Sequence, residues 1–375
     1  MNINDSVLKR DEKAVFRLRS LYRRYGYTQY KMSKFEEYDL YVRNKNFLVS
    51  DHVITFTDTN GKLMALKPDV TLSIVKNTKD IPGGVQKVYY NENVYRVSGG
   101  GHSFREIMQV GAECLGAVDS YCVAEMLTMA AESLLEISED FVLDISHLGV
   151  ISAVLEEMGL SNEAKDALLI CVGEKNLHGV GEICNAEGVL PEKRIALERL
   201  ITTYGDATIV LAQLREAFAG TAAEEALQEL SNVVNGIPEA LKENRIHVDF
   251  SVISDMSYYN GIVFKGFING IPASILSGGQ YNKLMRRMGR RTDAIGFAVY
   301  LDLLDELSRE GNAYDADTVL LYEANTPVQT VSNAVQKLVK LGKCVSAMRS
   351  VPEGMTYREL WTLKGEEVEC LEDRA

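Results

Sequence analysis

Met108-Gln-Val-Gly-Ala-Glu-Cys-Leu-Gly116 sets two polar side chains, Gln109 and Glu113, inside an otherwise apolar, β-rich run. At strand period two, Gln109, Gly111 and Glu113 share one face, and the missing side chain at Gly111 leaves room for a small ligand between the other two. Burying such groups costs free energy unless partners meet them, which marks the pair as candidate site residues. A half-exposed strand with ordinary polar residues on its wet side fits the same spacing.

Reading outward, Lys87-Val-Tyr-Tyr and Asn93-Val-Tyr-Arg form a second β-rich run, joined to Phe104-Arg-Glu-Ile-Met-Gln-Val through Gly99-Gly100-Gly101, predicted to be a long mobile loop. Upstream, Val53-Ile-Thr-Phe-Thr and Lys62-Leu-Met-Ala-Leu flank Asn60-Gly61, a strong hairpin signal. Val15, Leu18, Leu21, Tyr22 and Tyr25 recur at helical spacing before Gly26. Downstream, Val123, Met126, Leu127, Ala130, Leu134 and Ile137 mark a helix, and residues 153–242 read as a helical insertion rich in Ala, Leu and Glu. Strand character returns at Ile246-His-Val-Asp-Phe, then in a second hairpin of Tyr258–Phe267, Asn269-Gly270 and Ile271–Leu276.

Beyond the turn Glu310-Gly-Asn-Ala-Tyr-Asp the texture changes. Strand Thr318–Tyr322, a helix capped by Thr326 with Pro327 at its first position and closed by Gly342, and strand Cys344–Met348 make a small βαβ unit. Its basic residues Lys337, Lys340, Lys343 and Arg349 read as a solvated helix face. The expected fold class is therefore α+β: an antiparallel sheet flanked by helices over 1–311, with the insertion, and a small C-terminal α/β unit over 312–375.

The 375 residues suffice for a sizeable core, and 46% hydrophobic with 25% charged residues describes a folded soluble chain. The opening MNINDSVLKRDEK lacks the apolar stretch of a secretory signal and no apolar run reaches bilayer length, so the expected address is the cytoplasm, with no membrane partner. A net charge of −13 disfavours long-range attraction to phosphate backbones. The six cysteines have no CxxC spacing and the five histidines no metal-pair spacing, so reduced, mostly buried thiols and no metal are expected. Tyr258-Tyr259 opens a predicted strand, where the two rings would face opposite sides of the pleat; core packing plus one surface aromatic accounts for that pattern.

Taken in order from about Leu8 to Leu307, these segments resemble the catalytic core of class II histidyl-tRNA synthetases. Tyr25-Gly-Tyr resembles motif 1, with Ser33 in place of its proline, and Leu66-Lys-Pro-Asp-Val-Thr resembles the R-P-E-G-T segment. Val94-Tyr-Arg through Gln109-Val-Gly-Ala-Glu resembles motif 2. Ser257-Tyr-Tyr-Asn-Gly-Ile-Val-Phe resembles the G-L-D-Y-Y-T-G segment, and Ser277-Gly-Gly-Gln-Tyr with Ile295-Gly-Phe-Ala resembles the approach to motif 3. The resemblance implies that Asp69, Thr71, Gln109, Glu113, Tyr258 and Tyr259 hold histidine. Arg96 is implied as a contact for a carboxylate or phosphate.

The nucleotide half departs from the pattern. The arginine opening R-G-L-D-Y-Y is Ser254, the motif 3 arginine is Leu303, a motif 3 glycine is Tyr300, and the glutamate of motif 2 is Ser98. Removing one such cationic donor typically costs about 3 kcal/mol of transition-state stabilisation, so amino-acid activation is not expected. A synthetase-like chain of this kind resembles the regulatory subunits of ATP phosphoribosyltransferase. That resemblance implies a catalytically inert chain without cofactor or tRNA, paired with the short-form catalytic subunit, homodimeric through the class II core and answering to histidine. Its C-terminal unit resembles a truncated anticodon-binding domain. A histidyl-tRNA synthetase and a free-standing histidine sensor are the alternatives.

Overall fold

The computed structural model describes residues 8–45, 53–97, 103–252, 258–307 and 314–374. Ser98, Gly99–Gly101, Ser254, Ser257 and the 311/312 boundary lie outside the described residues. The chain divides into two compact units, Met1–Glu306 and Leu307–Ala375.

In the first unit, α1 (Arg10–Arg24) begins where the Lys9 backbone N–H donates to Glu12, with Asp11 and Glu12 in its first turn and Arg23 and Arg24 in its last, each favourable to the helix dipole. Ala14, Leu18, Leu21 and Tyr22 form its buried face. Strand β1 (Thr28–Gln29) follows. Next, β2 (Phe35–Glu37), β3 (Thr55–Thr57) and β4 (Leu63–Leu66) make a separate three-stranded sheet, with α2 (Tyr38–Arg43) between β2 and β3. The β3–β4 hairpin is the one marked by Asn60-Gly61. Gly61 takes a φ of +79°, and the Asp58 carboxylate accepts the N–H groups of Asn60 and Lys62 at 2.8 Å each.

After α3 (Thr71–Asn77), β5 (Val85–Val97) and β6 (Phe104–Gly116) pair antiparallel from Val85↔Gly116 to Val97↔Phe104. Helix α4 (Ser120–Leu135) is capped by Asp119, whose side chain accepts the Cys122 N–H at 2.9 Å. Then come β7 (Phe141–His147) and the helical insertion: α5 (Leu148–Glu157), α6 (Asn162–Gly173), α7 (Leu177–Ala186), α8 (Pro191–Thr202), α9 (Ala207–Ala217), α10 (Glu224–Asn235) and α11 (Glu239–Lys242). The expected span of 153–242 is helical, but β8 (Tyr204–Asp206) interrupts it and adds an edge strand antiparallel to β9 (Ile246–Asp249).

Strands β10 (Ile262–Ile268), β11 (Leu276–Gln280) and β12 (Asp293–Tyr300), with α12 (Asn282–Arg287), complete a nine-stranded sheet among the described residues. Its order is β1-β5-β6-β12-β11-β10-β7-β9-β8. The sheet is mixed rather than wholly antiparallel, because β1·β5 and β7·β9 pair parallel. In the second hairpin the returning strand is Leu276–Gln280, not Ile271–Leu276, since Pro272 has no N–H to offer a ladder.

The second unit has β13 (Ala316–Leu321), α13 (Val328–Lys340), β14 (Val345–Met348), β15 (Tyr357–Lys364) and β16 (Glu367–Asp373), ordered β14-β13-β15-β16. Strand β13 is parallel to both neighbours, as the βαβ reading requires for β14. Pro327, not Thr326, occupies the cap position of α13. Lys343 is not simply solvated: its Nζ lies 2.6 Å from Glu359 and over the Trp361 ring. Four of the six cysteines are buried and two, Cys344 and Cys370, are exposed. Among the described residues no helix is long and apolar enough to cross a membrane.

Candidate functional site

Cross-strand register places the candidate residues. Tyr90 lies opposite Gly111, Glu92 opposite Gln109, Gly296 opposite Glu113 and Tyr300 opposite Gln109. Side chains paired across a sheet share a face, so Tyr90, Glu92, Arg96, Gln109, Glu113 and Tyr300 all rise from one surface. The loop 67–70 and the first turn of α3 bring Asp69 and Thr71 over that surface, held by Tyr95 N–H donating to the Lys67 carbonyl at 2.9 Å. The side chains of Lys67 and Glu92 fasten the same loop, with Nζ to Oε2 at 2.5 Å.

Glu113 is the hub. Its Oε1 accepts from the Thr71 hydroxyl at 2.9 Å and its Oε2 from the Tyr281 hydroxyl at 2.7 Å. Gly296 makes the room, because a Cβ there would fall on the Glu113 carboxylate. Burial pushes the Glu113 carboxyl up to about 8, against the pull of its two hydroxyl donors. Burial also raises Asp69, opposed by the Leu72 N–H at 2.8 Å and the Arg96 guanidinium. Gln109 is buried one step along the same face.

Tyr258 and Tyr259 do not face opposite sides of a strand. They precede β10 and pack against each other edge to face, ring centres 4.5 Å apart. The Tyr258 hydroxyl lies near the Thr71 side chain and the Tyr259 hydroxyl near the Ser277 side chain, each of which opposes the rise that burial imposes on the phenol. The Tyr259 ring covers Gly279, where a Cβ would come within 2.8 Å of it. Asp69, Thr71, Glu113, Tyr258 and Tyr259 are thus brought together, with Gln109 beside them.

The space expected over Gly111 is already filled: a Cβ there would fall on the Tyr90 hydroxyl. Tyr90 and Tyr281 were not singled out from the sequence. Tyr281 ends the Ser277-Gly-Gly-Gln-Tyr segment and Tyr90 sits one strand from Gly111, but period-two spacing does not say which strands become neighbours. A Gly111→Val substitution is expected to cost about 3 kcal/mol or more, because its Cβ alone would fall well inside contact distance of the Phe297 carbonyl oxygen and the Tyr90 hydroxyl; urea denaturation reads it.

Where nucleotide cations were expected to be missing, the structure places an aromatic ring. Tyr300 occupies the position of the motif 3 glycine, and the nearby Arg96 guanidinium opposes the rise that burial imposes on its hydroxyl. Arg96 donates from Nε to the Pro68 carbonyl at 3.2 Å. The remaining motif 2 arginine is therefore tied to the protein itself. Leu303 follows in the 3-10 helix Leu301–Leu307.

A carboxyl pair, a buried amide and a ring of phenols thus lie together on one face of a mixed sheet, at the positions that carry the resemblance to class II synthetases. A family model described as histidyl-tRNA synthetase matches residues 3–304, and the chain belongs to that family. Within it, the chain falls among the ATP phosphoribosyltransferase regulatory subunits: the subunit of that name from Clostridium kluyveri is 30% identical over 321 residues, 81% of this chain and 80% of the relative. A solved ATP phosphoribosyltransferase regulatory subunit/histidyl-tRNA synthetase from Bacillus halodurans shares the fold, with a TM-score of 0.73 at 20% identity over 96% of this chain and 99% of that one. A chain of the ATP phosphoribosyl transferase complex from Thermotoga maritima shares it too, with a TM-score of 0.61 at 18% identity over 80% and 98%.

Proposed function

We propose that this chain is a non-catalytic, histidine-responsive subunit that assembles with a short-form ATP phosphoribosyltransferase catalytic subunit at the first step of histidine biosynthesis. The observation that carries the reading is an asymmetry within one sheet face. Asp69, Thr71, Gln109, Glu113, Tyr258 and Tyr259 come together, whereas the half that would meet ATP has Tyr300 beside an Arg96 that donates to the Pro68 carbonyl, and has Leu303 and Ser254 for arginines.

In this reading the carboxylates and amide receive the α-ammonium and imidazole N–H groups of histidine and the phenols complete the ring's partners. Amino-acid activation needs fixed cations aimed at the transferring phosphates, so the chain makes no aminoacyl-adenylate. Relatives named as regulatory subunits, and the fold shared with a chain of the Thermotoga maritima complex, support the partner. The building block is a homodimer through the class II core, tRNA is not bound by this acidic chain, and the location is the cytoplasm. The smaller unit, from about residue 312, is a reduced anticodon-binding domain.

Histidine acts through linkage: it shifts the assembly by its differential affinity for two arrangements, a coupling of about 1–3 kcal/mol. Mixing the purified chain with the short catalytic subunit is expected to raise its turnover, make the two comigrate and confer inhibition by histidine. Turnover and migration that stay unchanged would sink the reading. ATP–pyrophosphate exchange dependent on histidine would instead identify a synthetase, and histidine binding without any effect on the catalytic subunit a free-standing sensor.

A further inference from the structure

Register carries the candidate surface further than the resembling motifs do. Tyr90, Gly111, Ala298, Ser277 and Lys265 stand opposite one another across β5, β6, β12, β11 and β10. All five rise on the face that carries Glu113 and Tyr300. Tyr90 closes over Gly111, while Ala298 and Ser277 are small, so the row from Tyr90 to Lys265 is low only over Ala298 and Ser277. Three strand gaps separate Gly111 from Lys265, about 14 Å at the usual spacing.

Lys265 is half-buried, and among the described residues it forms no ion pair or hydrogen bond through its ammonium group. Its register partner on the far side, Asp144, is buried and does not take it; the Asp144 Oδ1 has no hydrogen-bond partner among the described residues. On the near side, the Ser277 side chain lies near the Tyr259 hydroxyl, which places Lys265's immediate neighbour beside the aromatic wall of the site. Val263, two residues before Lys265 on the same face, packs against Tyr259.

An amino acid brings a carboxylate as well as an ammonium group. Arg96 donates to the Pro68 carbonyl, and positions 254 and 303 carry no charge. We propose that Lys265 binds the anionic oxygens of the ligand, the carboxylate of the amino acid, at the end of this row away from Tyr90. The proposal rests on the amino-acid reading above. Lysine acts here as a point charge on a flexible stem, which suits a carboxylate approached from one side.

Titration calorimetry on the full chain tests it with three probes: L-histidine, histamine, which lacks the carboxylate, and inorganic phosphate. Lys265→Met is expected to weaken histidine roughly tenfold to a hundredfold and leave histamine unchanged, and Lys265→Arg to restore most of the loss. Histidine affinity untouched by Lys265→Met, or histamine weakened as much as histidine, overturns the proposal while the amino-acid reading stands. If the wild-type chain binds no histidine, that reading fails. Phosphate that binds the wild type but not Lys265→Met then keeps Lys265 as an anion site with phosphate as its source. Phosphate bound equally by both, or by neither, overturns Lys265 as well.

Discussion

Glu113→Ala is expected to destabilise the chain by about 3–5 kcal/mol, measured by urea denaturation. The substitution removes the acceptor of two buried hydroxyls, Thr71 at 2.9 Å and Tyr281 at 2.7 Å, and leaving a buried donor unpaired costs about 1–3 kcal/mol each before any cavity is counted. Glu113→Gln keeps the volume and one carbonyl acceptor, and its cost should be near 1 kcal/mol.

The two variants separate packing from charge through pH. An unfolded glutamate titrates near pH 4.3, whereas burial holds the folded Glu113 carboxyl up at about 8. Between those values the folded state binds more protons than the unfolded one, so stability falls as pH rises through the window, by at most roughly 1.4 kcal/mol per unit. Asp144, pushed up to about 7 by burial and by Asp249, acts in the same direction over the lower part of the range. Wild-type stability should therefore decline from pH 5 to pH 8, and Glu113→Gln should flatten the decline; an unchanged slope in that variant would show that Glu113 is ionised throughout. A cation bound beside Glu113 would favour its carboxylate. Histidine binding near pH 7 should accordingly release a proton in the wild type and not in Glu113→Gln.

Glu92→Gln should be the other large effect, and larger than Lys67→Met despite removing the same ion pair. The Lys67 side chain is fully buried, whereas Glu92 keeps 18% of its side-chain surface. Removing the glutamate charge strands an ammonium group with no water to turn to, which costs about 3–5 kcal/mol. Removing the lysine instead leaves a carboxylate that hydrates through its exposed edge, while the methionine stem fills much of the vacated volume; about 1–2 kcal/mol is expected. Equal costs, or the reverse order, would mean that Lys67 finds another partner when Glu92 is neutral. Because Lys67 directly precedes Pro68-Asp69, loosening the pair should also free the loop that carries Asp69 and Thr71 over the sheet.

Much of the architecture was legible because its causes are local. Asn60-Gly61 closes a hairpin through a positive φ and an Asp58 side chain two to four residues away, and the Ala14-Leu18-Leu21-Tyr22 stripe needs only helical spacing. The common face of Gln109, Gly111 and Glu113 follows from the pleat alone. The extent of the second hairpin was not legible, since turn chemistry marked Asn269-Gly270 but the ladder did not begin until after Pro272. Strand β8 was missed for a related reason: three residues within a helical stretch carry no pattern of their own and become a strand only because β9 offers its edge.

The same division holds at the site. Reading the chain in one dimension showed which residue types share a face and where arginines of the resembling motifs are replaced, by Ser254 and Leu303. Folding in three dimensions decided who meets whom. Tyr281 comes from 168 positions away to bond Glu113, Tyr90 closes over Gly111, the two tyrosines of the pair pack on each other, and the Pro68 carbonyl takes up Arg96. It also set Lys265 at the end of the row that begins at Tyr90. Period two tells a strand which way each side chain points, but the order of strands, and so every contact across them, is fixed by packing among segments far apart in the chain.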